Sequence, residues 1–380
     1  MRQEYKANLV RKNVVLRQAY SLTKIFHSHD RLTTMPDLQK VYDTVQQNCH
    51  ISDGLYAQDY GLCIYLLKMR ELYRWEKSLP LTAPLSKEEV GDWLCVREQL
   101  WDELADKSFA CIPIDDDCYD PFETAAINQV LLPQGIVYGG GYGQFCKPSF
   151  FIGRLLKHEW REGLEVLIAA DEYVRDLSAP PAMTLGTTIF IRRESVRRAL
   201  WERIEEWNWK KPENHFAQLL ETYHVAQNLE TALDRMTDDQ IEIIINHEIG
   251  EVQAGVLLGD NWEKMLVAIA GSKAESVARA VRDHLADCLV TLPFLLETGQ
   301  PTALLFYLAN FTGLRQVLFP ALVDAFKQWL ANENDLEALT VIVKQGQTHW
   351  LNTAQSLLAW FIANPDDCAT VIANQVESFR

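Results

Sequence analysis

The stretch "IEIIINHEIGEVQAG", Ile241 to Gly255, sets His247, Glu248 and Glu251 inside an otherwise apolar run. At about 100° per residue, Glu251 falls roughly 40° and Glu248 roughly 100° from His247 on a helical wheel. Ile243, Ile244, Ala254, Gly255 and Leu258 share their side, while Glu242, Asn246 and Gln253 lie opposite. The imidazole and the acids therefore belong to the packed face. The same construction over 273–291 puts His284 among Val277, Ala280, Val281 and Cys288. Asp287 lies one helical step away and Asp283 further round, with Glu275, Arg279 and Arg282 on the far face. Two helices thus each aim a histidine and an acid inward. An unpaired buried carboxylate costs on the order of several kcal/mol, so something must compensate: a metal ion, a basic side chain, or the histidines as cations.

Imidazole with carboxylate suits Zn²⁺, Fe²⁺ or Mn²⁺. The i,i+4 spacing of His247 and Glu251 and the i,i+3 spacing of His284 and Asp287 let each pair reach one ion, as in metal sites of helix bundles. The expected ligands are His247, Glu251, His284 and Asp287, with Glu248 as general base on a bound water or as a bridging carboxylate. The HExxE pattern resembles the HExxH of zinc metallopeptidases, in which two histidines hold zinc and the Glu activates water. Glu251 in place of the second histidine departs from that pattern and equally suits a carboxylate-rich, binuclear site. A metal-dependent enzyme is the leading expectation, a hydrolase ahead of an oxidase because the acid after His247 matches the water-activating position.

Two other readings compete. In the first the cluster is a hydrogen-bonded polar network in a non-catalytic scaffold. Arg70 and Arg74 of "GLCIYLLKMRELYRWE" would then supply counter-charge, and surface aromatics such as Trp207 and Trp209 would bind another protein. In the second, Gly139, Gly141 and Gly143 leave a strand face bare beside Arg175, Arg192 and Arg193, making an anion-binding module. Against it, arginines 192–198 have Glu194, Glu202, Glu205 and Glu206 within helical pairing distance. His27, His29 and Asp30 in "FHSHDRL" suit either an extended metal motif or a helix C-terminus.

The elements that must position these residues follow from patterning. Helices are expected over 3–27, 37–48, 56–78 and 87–105. The third is apolar nearly all round and so centrally buried, and the fourth is opened by a Ser86/Glu89 capping box. The acidic segment 107–120 reads as a loop. "GIVYGGGYG" and "GTTIFIRR" read as strands. "SFFIGRLLKHEWREGLEVLIAADE" reads as a hairpin turning at Arg161–Gly163 or as a helix pair, and "DLSAPPAM" as a loop. From Glu194 the chain is helical, with capping boxes at 237–240 and 272–275 and further helical runs over 302–311, 313–331, 335–344, 349–363 and 366–378. The class is mainly α, with a small antiparallel sheet inserted near the middle (α+β). The regions are 1–120, 121–230 and 231–380.

The chain has 380 residues with 52 acids and 36 bases, a formal charge of −16. Such a surface repels nucleic acid and anionic membrane, leaving a small molecule or another protein as partner. No run reaches the ~18 apolar residues of a membrane span. There is no signal-peptide core, and eight scattered cysteines without CxxC suit free thiols in a reducing cytoplasm. The runs "ISDGLYAQDYGLCIYLLKMRELYRWE", "WLCVREQLW" and "RDHLADCLVTLP" resemble an uncharacterised bacterial family built on a domain of unknown function. The resemblance spans most of the chain and implies no activity or ligand set.

Overall fold

A computed structural model describes residues 38–143, 147–332 and 335–375. The expected helix 3–27 and the His27/His29/Asp30 group lie outside the described residues. Helix takes 66% and strand 14%, so the chain is mainly α with some β.

The N-terminal helices are α1 (Leu38–Tyr56), α2 (Leu62–Glu76) and α3 (Lys87–Leu104). Ser86 caps α3 by accepting from the Glu89 amide, as the capping box predicts. Helix α2 is not centrally buried. Leu62 is 71% and Ile64 51% exposed, and Met69 and Leu72 make its main apolar contacts. The expected loop at 107–120 contains a hairpin, β1 (Ile112–Ile114) and β2 (Asp117–Tyr119). Cys111 and Cys118 are disulfide-bonded across it rather than free, because antiparallel pairing draws their Cα atoms to 5.5 Å. Cys49, Cys63, Cys95, Cys288 and Cys368 are free thiols.

After α4 (Thr124–Leu131) come β3 (Ile136–Tyr142), β4 (Pro148–Arg161), β5 (Leu164–Arg175), β6 (Ala182–Leu185) and β7 (Thr188–Arg192), in the order β3-β4-β5-β7-β6. The hairpin at 161–163 forms. Glu162 and Gly163 both adopt positive φ, 49° and 80°, the combination a two-residue turn needs to match strand twist. The sheet corrects the sequence reading twice. It has five strands, two of them 14 and 12 residues long, so it is not clearly small. It is also mixed, since β7 pairs with β5 in parallel. The loop after Arg175 carries the chain past one strand position, and the β6–β7 hairpin folds back to insert β7 beside β5.

The pleat sends alternate residues to different cores. Tyr138, Phe150, Ile152 and Val174 pack with Val41, Val45 and Cys49 of α1. The intervening Val137 and Phe151 pack instead with Leu167, Ala169 and Phe190, and the residues that alternate with those three, Val166, Ile168, Ile189 and Ile191, join the large helical core.

That core is built by α5 (Arg193–Lys210), α6 (His215–Thr222), α7 (Leu229–Leu258), α8 (Asp260–Ala268) and α9 (Lys273–Ala286). A π-helical turn at Asp287–Thr291 leads into α10 (Leu292–Thr298). Then follow α11 (Pro301–Asn310), α12 (Gly313–Leu318), α13 (Pro320–Ala331), α14 (Glu337–Ala363) and α15 (Cys368–Gln375). The capping box expected at 237–240 lies inside α7, whose N-cap is Asn228, and the Thr237 hydroxyl donates back to the Leu233 carbonyl. Ser272 does cap α9. The side of α7 read as solvent-facing covers the β4–β5 hairpin: Arg161 forks onto Glu242 at 2.6 and 3.0 Å, and Gln253 donates to Glu162 at 2.7 Å. Among the described residues no helix is long and apolar enough to cross a membrane.

Candidate metal centre between two helices

Close approach of α7 and α9 begins with a missing side chain. A Cβ on Gly250 would stand 2.4 Å from the Ala286 carbonyl oxygen, so glycine lets the two backbones touch one turn from His247. A π-helical turn begins at Asp287, whose own N–H still bonds the Asp283 carbonyl, so Asp287 keeps the helical phase of α9.

At this crossing the His247 Nδ1 bonds the buried Asp287 carboxylate at 2.7 Å. The other oxygen of Asp287 accepts from the Tyr307 hydroxyl at 2.6 Å and from Arg315. On the other edge of the ring, His247 Nε2 stands 3.6 Å from Glu251 Oε1. Glu251 takes a bond at 2.8 Å from Arg282 Nη2 to each of its oxygens. One atom each of His247, Glu251 and Asp283 lie within 4.8 Å of one another. The Asp283 carboxylate accepts no hydrogen bond from any described residue.

The charges settle accordingly. Burial alone would lower the His247 pKa, but Asp287 and then Glu251 overcome it and hold the pKa well above the ordinary 6.5, so the ring is an imidazolium. Burial would raise both carboxyls beside it. Arg315 and His247 instead hold Asp287 well below the carboxylate range, while Arg282 and His247 hold Glu251 down at about 2. Asp283 moves the other way: burial and the charge of Glu251 outweigh His247 and raise it. Glu248 is raised too, by burial and then Glu251, and it accepts from the Thr184 hydroxyl of β6 at 2.5 Å.

Of the residues predicted from sequence, His247, Glu251 and Asp287 meet, and Glu248 lies beside them against the sheet edge. His284 does not join. Its ring stacks on Trp350 at 4.5 Å and is edged by Phe319 and Phe311. Neither ring nitrogen makes a full hydrogen bond, although the Arg315 backbone lies near enough to pull its pKa up slightly. Burial, then Arg315, lowers that pKa to about 3, leaving a neutral ring.

Asp283, Arg282, Arg315, Tyr307 and Thr184 escaped the sequence reading. The wheel puts Arg282 on the far face and Asp283 further round than Asp287, and the long arginine stem reaches back to Glu251. Arg315, Tyr307 and Thr184 come from other elements, and no local spacing announces them.

The other expected partnerships are also rearranged. Arg74 does not reach this site: it bonds Glu71 and the Ala83 carbonyl. Arg192 forks onto buried Glu172 at 3.1 and 2.5 Å. Arg193 and Arg197 pair with Asp234, Asp238 and Glu230 of α7 instead of acids on their own helix, and only Arg198 approaches Glu202, at 3.8 Å. The glycine face of β3 is filled, with Phe151 and Leu185 standing where Cβ atoms of Gly139 and Gly141 would be.

Comparison with curated proteins and with solved structures returned no match. Residues 40–192 match the N-terminal domain, and residues 197–379 the C-terminal domain, of a family of unknown function, DUF6866. The chain belongs to that family.

Proposed function

We propose that the chain is a metal-dependent enzyme of hydrolytic type, with one divalent cation held by His247 Nε2, Glu251 and Asp283. The observation that carries this reading is the convergence of one ligand atom from each of these three residues within 4.8 Å, at a histidine whose Nδ1 is already fixed by Asp287. A metal-bound imidazole ordinarily gives its second N–H to a carboxylate, which sets the tautomer and strengthens the donor. Asp287, itself braced by Tyr307 and Arg315, suits that outer position. The ligand set thus differs from the one read in sequence, with Asp283 in place of His284 and Asp287 behind the histidine instead of on the ion.

One nitrogen and two carboxylate oxygens suit Mn²⁺, Fe²⁺ or Zn²⁺ and leave coordination positions for water and substrate. A cation there displaces the proton from His247 Nε2 and satisfies the Asp283 carboxylate that lacks a donor. Bound, it would lower the pKa of a coordinated water. Glu248, whose carboxyl burial and then Glu251 raise above the ordinary glutamate value, suits proton acceptance. In this reading the partner is a small molecule and the location cytoplasmic, which the five free thiols support and the Cys111–Cys118 disulfide opposes.

Arg282 and Arg315 already neutralise much of the acid, which favours the rival reading of a purely structural network. Metal analysis separates the two. The expected result is about one equivalent of manganese or zinc per chain after Mn²⁺ or Zn²⁺ loading and desalting, abolished in His247→Ala and in Asp283→Ala. Binding unchanged by both substitutions, or no binding and an unshifted melting curve in chelator, rejects the enzyme and leaves the network.

A further inference from the structure

We infer that the pocket outside this centre binds a phosphoryl group, making a phosphorylated small molecule the substrate class; the assignment as substrate rests on the metal reading above, the binding itself does not. The pocket has a volume of about 400 Å³ and is bounded on its inner side by Glu251 and Asp283. That size falls within the usual range for small-ligand sites. Its remaining polar wall is three arginines, Arg279, Arg282 and Arg315, with the hydroxyl-bearing Ser276 and Thr312.

The face of α9 that carries Asp283 also carries Ser276, Arg279 and Arg282, at three- and four-residue steps. Helix α12 and its N-cap bring Arg315 and Thr312 from the other side. Each guanidinium is tied to at least one carboxylate, and no described group bonds Nη1 of Arg279 or of Arg315. Arg279 commits Nε and Nη2 to Glu275 at 2.9 Å. Arg282 gives Nη2 to Glu251, its Nη1 stands 3.9 Å from Glu263, and its buried Nε has no partner. Arg315 gives Nη2 to Asp287 and Tyr307, and its buried Nε is likewise unpartnered. No described group bonds the Ser276 or Thr312 hydroxyl.

Anchoring by Glu275, Glu251 and Asp287 holds the three guanidiniums in fixed orientation, which is how such groups recognise oxyanions with little ordering cost. Donors from two helices and two hydroxyls surround the space from several directions. A planar carboxylate offers two oxygens to that set of donors, whereas a tetrahedral phosphoryl group offers three outer oxygens. A divalent cation on Glu251 and Asp283 would face the same oxygens, the usual division of labour at phosphoryl groups.

Calorimetric titration of inorganic phosphate into the full chain, stripped with chelator and then dialysed, tests the assignment without metal. Saturable binding is expected, weakened about tenfold or more in Arg279→Gln and several-fold in Ser276→Ala, a change that α9 tolerates if the arginine variant misfolds. Acetate at matched ionic strength is expected to bind at least about tenfold more weakly. No phosphate binding, binding unchanged in the folded variants, or acetate binding as tightly as phosphate overturns the inference. His247→Ala separates the two proposals, since it should lose Mn²⁺ and keep phosphate. Phosphate binding in a chain that never takes up metal removes the enzyme reading and leaves an oxyanion pocket.

Discussion

His247 and His284 stand on neighbouring helices, and both face inward. Their surroundings are opposite. His247 sits among acids that are themselves held by arginines, and it is charged. His284 is fully buried against Trp350, Phe319 and Phe311, and it is neutral with a pKa of about 3. Inward direction on a wheel is therefore no guide to chemistry. What matters is which distant elements complete the shell: α11 and α12 bring Tyr307 and Arg315 to the first histidine, while the residues after α11, around Phe319 and on α14, bring rings to the second.

The sharpest way to break this contrast is to remove the acid under His247. Asp287→Ala leaves the Arg315 guanidinium and the imidazolium without their common partner, and loss of one member of such a buried set costs about 3–5 kcal/mol. Urea denaturation at neutral pH measures it. A loss below about 1 kcal/mol would mean that the network contributes little to the fold.

The histidines also predict opposite pH behaviour. His247 has a folded pKa above its unfolded 6.5, so its stabilisation is complete below pH 6.5 and fades as pH rises through the folded value. His284 has a folded pKa of about 3, so the unfolded chain takes up a proton first, and stability falls as pH drops from 6.5 towards 3. His284→Phe should therefore lie within about 1.5 kcal/mol of the wild type at pH 7.5 but exceed it by roughly 2–3 kcal/mol at pH 4. Denaturation midpoints across that range decide the matter. Parallel curves for the two proteins would place a charge on His284 after all.

The smallest effect sharpens the metal question. Arg282→Met removes the cation paired with Glu251 and should cost about 1 kcal/mol of stability at neutral pH, while tightening Mn²⁺ binding by freeing the carboxylate. Weaker Mn²⁺ binding in this variant would show that Arg282 supports the site instead of competing for it.

Much of the architecture was legible because it is local. The Ser86 and Ser272 caps, the β4–β5 turn at Glu162–Gly163, and the strand character of 136–142 and 188–192 depend on neighbours within a few residues. The parallel placement of β7 was not legible, because strand order depends on where a hairpin folds back and not on the pattern within it. The exposed flank of α2 escaped for a related reason: Leu62 and Ile64 look like core residues in any helix until the fold leaves that side uncovered.

Sequence alone determined that an imidazole and acids would turn toward the core on two helices, since a 3.6-residue period assigns faces. Only the tertiary structure decided that Asp283 shares a spot with His247 and Glu251, that Asp287 holds the histidine from behind, and that Arg282 and Arg315 supply the opposing charge. The reason is range. A face is a property of consecutive residues, but a buried charge is settled by whatever packs within a few ångströms, and here much of that comes from helices dozens of residues away.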